Sequence, residues 1–328
     1  IHVILPSGIN RSYINEVKKY AVKIFFCPLP WWQKGRREFT EITEHIRSII
    51  KCSGTNIMYV NTLTLWEPII AARKSGLKTI MHVRELPNHD PELCKRLNAT
   101  PDEIRKHVIS NNDHFIANSQ ATASFLNLKN KTNVVYNSID TNRFLSDDHA
   151  SQSEKLNVVM VSSNTVKKGI DDLFEVARLA ELHSENINFY IYGPESADLT
   201  QRLVESDLTN ITYCGYADEP QLAYADKDVV LNLSHFQESF GRTIVEGMCC
   251  GCVPIAYDWG ALSEVIETTV GYLVPFKDYK RVADILLKLS NDQIELSKLK
   301  HKTRINALAR FSEKEISDQL SALLKVSQ

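Results

Sequence analysis

Glu238 and Glu246 stand eight positions apart in the segment Glu238-Ser-Phe-Gly-Arg-Thr-Ile-Val-Glu246. Helical patterning starts at Gly241 and runs to Cys250, with Gly251 placed to end it. The first turn of such a helix has unpaired N–H groups and the positive end of a dipole, which suit a phosphate. Gly241 lets the backbone come close to the anion. A carboxylate beside an anion site is a poor phosphate ligand, since like charges repel, but a good acceptor for sugar hydroxyls. Both glutamates therefore suit a ligand with a phosphate centre and hydroxyls at each end, as in a nucleotide-sugar. Spacing alone favours a plainer reading, with Glu238 as a helix N-terminal charge and Glu246 as a surface residue.

A second set of groups lies earlier. Lys167-Lys168-Gly169 follows a strand over 157–162 and opens a helix over 170–183. Two lysines at a helix start oppose its dipole, which favours a bound anion over a solvated end. Gly193-Pro194-Glu195 and Gly215-Tyr216 fall at later strand ends, where a nucleobase pocket would form. In the first half, His82-Val-Arg84-Glu85 sits at the carboxyl end of a strand over 78–83, the functional edge of an open sheet. An ion pair between Arg84 and Glu85 explains that stretch equally well.

The elements that must position these groups alternate. Strands are predicted at 2–5, 22–27, 56–60, 78–83 and 114–118, with helices at 14–20, 37–51, 66–75, 91–110 and 120–126. The polar stretch 145–154, poor in apolar residues, reads as a linker. Strands then follow at 157–162, 188–192, 211–214, 229–233 and 253–257, with helices at 170–183, 197–205, 221–225 and 241–250. Strand–helix alternation implies parallel sheets with right-handed crossovers. Trp31 and Trp32 lie in a loop over 28–35, either exposed toward a partner or packed beneath it.

Composition sets the bounds. The 328 residues are 43% hydrophobic and 24% charged, with a net charge of −2. That is enough chain for two cores, and no strong field recruits nucleic acid or anionic lipid. No apolar run reaches the roughly 18 residues that span a bilayer, and no signal peptide is visible. Seven cysteines, three of them in Cys249-Cys250-Gly-Cys252, lack the paired spacing of a metal cage and read as buried thiols in a reducing compartment.

The segment from Glu238 to Glu246, continued by Gly-Met-Cys-Cys-Gly-Cys-Val-Pro, resembles the E-x7-E signature of retaining glycosyltransferases of family 4. Gly247 and Cys249 take that family's usual alanine positions, and Gly260, Glu264, Gly271 and Leu273-Val274 fall where the family places them. Lys168-Gly169 matches its K-G pair, while Ser163 stands where an arginine is usual. Glu85 takes the place of a loop histidine, Asn137-Ser-Ile-Asp140 resembles an N-G-[IV]-D turn, and only Pro6-Ser7-Gly8 stands in for a glycine-rich loop. The likeness is close in the C-terminal half and loose in the N-terminal half.

The resemblance implies an α/β GT-B fold, with two Rossmann-like domains facing across a cleft. The acceptor-side domain would be 1–150 and the donor-binding domain 151–312, with a last helix at about 313–328 crossing back. It implies a retaining hexosyltransferase that uses a nucleotide-diphosphate sugar, with a UDP-sugar such as UDP-glucose favoured over a GDP-sugar. The acceptor would be a saccharide or lipid-linked, in polysaccharide or glycoconjugate synthesis. No metal and no cofactor beyond the donor are implied. Glu238, Lys168 and Glu85 would be catalytic. Glu246, Ser239, Phe240, Gly241, Arg242, Thr243, Lys168 and Tyr216 would bind donor, and His82, Arg84 and Glu85 would face the acceptor. The expected place is the cytoplasm, with peripheral contact at the inner membrane face and no nucleic-acid partner. Two alternatives stay open: a GT-B-like nucleotide-sugar epimerase, and a degenerate module that binds a glycan or a partner.

Overall fold

The computed structural model describes residues 1–128, 131–144 and 154–326. The chain divides between Val135 and Tyr136 into two compact units, the residues from Leu324 onward counting with the first. This division falls ahead of the polar stretch 145–154, of which 145–153 lie outside the described residues.

The first unit carries two parallel sheets. Strands β1 (His2–Leu5) and β2 (Lys23–Phe26) pair with each other, and β3 (Ile57–Val60), β4 (Lys78–Val83), β5 (His114–Ala117) and β6 (Thr132–Val134) form the other sheet in that order. The core gathers Val60, Met81, Val83 and Phe115 from the strands with Ile69, Leu97, Ile104 and Leu126 from the helices. The helix predicted over 91–110 is two helices, Pro91–Leu97 and Pro101–Asn111. Asn98 in the left-handed region ends the first, and Thr100 with Glu103 forms a capping box that starts the second. Trp32 is buried and stacks on His107 with centroids 3.9 Å apart, whereas Trp31 is exposed beside Arg96.

The second unit is one six-stranded parallel sheet. Its strands are β7 (Leu156–Val161), β8 (Ile187–Tyr192), β9 (Ile211–Gly215), β10 (Val229–Asn232), β11 (Val253–Tyr257) and β12 (Tyr272–Val274), in the order β12-β11-β10-β7-β8-β9. Helices cover both faces, so the central strands read as unbroken apolar runs such as Val229-Val-Leu231. The stretch predicted as a helix over 221–225 is a short 3-10 turn, Pro220–Ala223. Strand order reverses between β7 and β10, which pair through Val158 with Val229 and Val159 with Val230. The crevice beyond the carboxyl ends of such a strand pair is where open α/β sheets take ligands.

Candidate active site

Two loops meet at that crevice. After β7 the chain makes a 3-10 turn, Val166–Lys168, and passes through Gly169 into the helix Ile170–Glu181. Gly169 has φ +80, and a Cβ there would lie 2.0 Å from the carbonyl oxygen of Leu233, at the end of β10. Only glycine permits both the backbone turn and this closeness. Asp198 accepts from the N–H of Val166 at 2.9 Å and so caps the lysine turn. After β10 the chain runs through Ser234 to Glu238 and enters the helix Arg242–Cys249 through Gly241, at φ +86. That helix buries Ile244, Val245, Met248 and Cys249, which leaves Arg242 and Thr243 at its open end.

The loops enclose a cavity of about 520 Å³ within the second unit, lined by Lys168, Glu238, Gly241, Arg242, Thr243 and Glu246 among others. Lys168 Nζ lies 2.7 Å from Glu238 Oε1, and Ser234 Oγ donates to the same oxygen at 3.0 Å. Glu246, reached by one turn of helix, accepts from Arg242 Nε at 2.7 Å and from Tyr224 Oη at 3.1 Å. Glu246 is 6% exposed, so it is not the surface residue that spacing alone favoured. Burial first, and then the neighbouring Glu246 carboxylate, holds the Tyr224 hydroxyl well above the usual tyrosine range. Tyr224 is therefore a fixed donor to Glu246.

Tyr192, Gly193, Pro194, Tyr216 and Ala217 also line the cavity. Tyr216 is 74% exposed. Ser163, at the position where the resembling family has arginine, also lines the cavity. Lys167 does not belong to the wall; its ammonium sits 4.3 Å from the Phe236 ring centroid.

Two expected donor residues lie elsewhere. Phe240 is buried in the core against Tyr136 and Phe311, so its ring serves packing. Ser239 stands outside the cavity wall. Ser234 and Tyr224 are the residues that sequence reasoning missed. A serine directly after an apolar strand was a signal for the first; nothing in local sequence pointed to the second.

The first-unit candidates form a separate cluster. Glu85 is partly buried, and its carboxylate accepts from Thr62 Oγ1 at 2.5 Å, Arg84 N at 3.1 Å and Leu63 N at 3.3 Å. Burial raises its pKa against these bonds. The Arg84 guanidinium turns to Asn61 Oδ1, at 3.3 Å, so the ion pair that would explain this stretch is replaced by loop contacts. His82 Nδ1 meets Tyr59 Oη at 2.6 Å, while Nε2 is buried with no partner among the described residues. Burial, with Arg84 nearby, lowers His82 to about 4, so the ring is neutral. The thiols of Cys249, Cys250 and Cys252 are buried and raised by burial.

A family model described as "Glycosyl transferases group 1" matches residues 142–309. The chain belongs to this family. Among curated relatives of this group 1 chain, an "Uncharacterized 41.2 kDa protein in cps region" of Klebsiella pneumoniae is 32% identical over 168 residues, 48% of this chain and 45% of the relative. The poly(ribitol-phosphate) alpha-N-acetylglucosaminyltransferase of Staphylococcus aureus (strain COL) is 28% identical over 173 residues, 51% of this chain and 35% of the relative. The match thus spans less than half the length of either relative. In fold, Anabaena Alr3699/HepE, solved with UDP and glucose, aligns with TM-score 0.78 at 18% identity, over 99% of this chain and 98% of that one. With the sucrose-phosphate synthase of Thermosynechococcus elongatus also aligning at TM-score 0.72 and 16% identity, over 99% of this chain and 98% of that one, the fold of this glycosyltransferase-family chain is GT-B, two α/β units with parallel sheets.

Proposed function

We propose that the chain is a retaining hexosyltransferase that moves a sugar from a nucleotide-diphosphate donor to a saccharide or lipid-linked acceptor in polysaccharide or glycoconjugate synthesis. One observation carries the reading: Lys168, Glu238, Glu246 and the Gly241 helix start share a single cavity. On this reading the second unit holds the donor. Lys168 and the helix N-terminus take the diphosphate, Glu246 takes ribose hydroxyls, and Glu238 takes hydroxyls of the transferred sugar. Arg242 supplies the second positive charge where Ser163 replaces arginine. Tyr216 and Pro194 flank the nucleobase.

Catalysis would then rest on stabilising the departing diphosphate, an electrostatic task for charges already in place. The acceptor hydroxyl would attack from the face the leaving group vacates. Lys168 and Arg242 provide positive charge without a metal, so activity should survive chelation. The first unit would serve the acceptor. There Arg84 is the accessible candidate contact. The catalytic role expected of Glu85 gives way to holding the Thr62-Leu63 loop, since Thr62, Leu63 and the Arg84 N–H already occupy its carboxylate. The expected acceptor contact of His82 gives way to packing, since its ring is buried. UDP is the favoured nucleotide because HepE is solved with UDP and glucose. The proposed place of action is the cytoplasmic face of a membrane, with peripheral contact; no helix among the described residues is long and apolar enough to cross one.

A calorimetric screen of UDP, GDP and ADP, followed by incubation with the matching nucleotide-sugars, tests the proposal. Binding of one diphosphate and its release from the sugar in the presence of acceptor support it. An epimerised sugar with no diphosphate released would favour an epimerase. Absence of any nucleotide binding by the folded protein would leave a degenerate module.

A further inference from the structure

Asp172 is a buried carboxylate outside the donor cavity. It lies in the first turn of the helix Ile170–Glu181 and is 2% exposed. Its Oδ2 accepts from Tyr257 Oη at 2.5 Å and meets His235 Nε2 at 2.8 Å, and its Oδ1 accepts from Tyr279 Oη at 3.3 Å. Tyr257 from the core and the half-buried Tyr279 already satisfy the carboxylate. The bond to His235 is different, because His235 belongs to the loop that carries the site.

Each neighbour of His235 reaches a site charge. Ser234 Oγ donates to Glu238 Oε1 at 3.0 Å. The Phe236 ring lies 4.3 Å from the ammonium of Lys168, and equally far from that of Lys167. The backbone N–H of His235 itself donates to the carbonyl of Lys167 at 2.9 Å. The imidazole is held between Asp172 and the edge of Phe276, whose centroid is 5.4 Å away at an interplanar angle of 88°. One side chain thus anchors the strip 234–236, which touches both halves of the Lys168–Glu238 pair.

We propose that Asp172 and His235 are a positioning pair for the diphosphate site: Asp172 fixes the imidazole, and residues 234–236 hold Lys168 and Glu238 at their working separation. The pair itself touches no ligand, as neither residue lines the cavity. The inference rests on the donor reading above. A hydrogen bond that ties a loop to a helix start sets geometry that packing alone leaves loose.

Calorimetry with UDP and with uridine, or with GDP and guanosine if the screen selects that base, tests the pair. His235→Leu removes the bond to Asp172 and should weaken the diphosphate about tenfold, one well-placed hydrogen bond's worth, while the nucleoside binds as before. Glutamine can still donate to Asp172, so His235→Gln should stay within about threefold of wild type. In a Lys168→Ala background His235→Leu should add less than about twofold, because both changes act through one ammonium. Equal weakening of diphosphate and nucleoside, or a full further loss on top of Lys168→Ala, would overturn the pair as a positioning device. His235→Phe, which keeps a ring in place but cannot bond Asp172, gives the same comparison if His235→Leu does not fold. Equal UDP binding by wild type and Lys168→Ala would instead remove the donor reading, and this inference with it.

Discussion

Lys168 and Glu238, seventy positions apart, form an ion pair with 2.7 Å between Nζ and Oε1. The side chains are 26% and 16% exposed, so the pair is neither dry nor freely solvated. A diphosphate entering the cavity would compete with Glu238 for the ammonium, and a sugar hydroxyl would compete with Lys168 for the carboxylate. Lys168→Ala removes the cation and leaves a carboxylate beside the anion. A charge-assisted contact to a leaving group stabilises it by roughly 2–4 kcal/mol, so kcat/KM should fall about 30- to 1,000-fold. Lys167→Ala should cost far less. Equal losses in steady-state assays of the two variants would point to a diffuse basic patch.

The reverse substitution separates binding from chemistry. Glu238→Ala frees Lys168 and removes a repulsive charge, so UDP should bind at least as tightly as to wild type. Transfer should still drop by about a hundredfold, because sugar hydroxyls lose their acceptor in the transition state. Weakened UDP binding in this variant, measured by calorimetry, would show that the carboxylate's main task is to hold the lysine.

Glu246 is expected to behave differently. Ribose contacts persist from ground state to transition state, so Glu246→Ala should raise KM for the donor with kcat little changed. The change also strands the Tyr224 hydroxyl in the core, at a cost of about 1–3 kcal/mol, visible as a lower melting temperature. Glu246→Gln keeps an acceptor for Tyr224 and should restore most of that stability but not the KM. Unchanged nucleotide affinity in folded Glu246→Ala would remove this residue from the site.

Gly169→Ala meets both backbone strain and the Leu233 carbonyl, 2.0 Å from the added Cβ. It should unfold the second unit or cost more than about 3 kcal/mol. Gly54→Ala is the control, since φ is +62 there but nothing lies within 4 Å of the added carbon. It should cost only about 1 kcal/mol. Chemical denaturation of both variants makes the comparison.

Acid should destabilise the first unit through its histidines. His82 and His107 are each lowered to about 4, burial being the larger cause. An unfolded histidine titrates near 6.5, so between pH 6.5 and 4 the unfolded chain binds more protons than the native one. Stability is fully present above that window and is lost as pH falls through it, by up to roughly 3 kcal/mol per histidine. In His82→Phe the unfolding free energy should depend less steeply on pH across this range; an unaltered slope would mean that His82 titrates normally.

Alternation of strands and helices was legible in the sequence because apolar runs and glycine ends mark them locally. So were the residue types of the cavity: Glu238, Glu246, Lys168 and Arg242 all line it. Their pairings were not legible, since Lys168 with Glu238 depends on β7 lying beside β10, a fact of sheet order. Asp172 left a trace, an acid among Ile170, Leu173, Phe174 and Val176 on a buried helix face. Phe240 misled because a motif position does not say whether a ring faces a ligand or the core. The predicted helix over 91–110 failed at Asn98, where a left-handed residue and the Thr100 cap outweigh helical patterning on both sides.

The β7–β10 pairing also sets when the cavity can exist. A chain emerging from the ribosome releases the lysine turn first, then all of β8 and β9, before the strand that belongs at its side. Until β10 docks between β7 and β11, Lys168 has no Glu238 and the cavity has no second wall. Closing so long a loop between parallel strands is slow. Nucleotide binding would therefore be among the last properties to appear during refolding, and a fluorescent nucleotide would count only molecules whose second unit is complete.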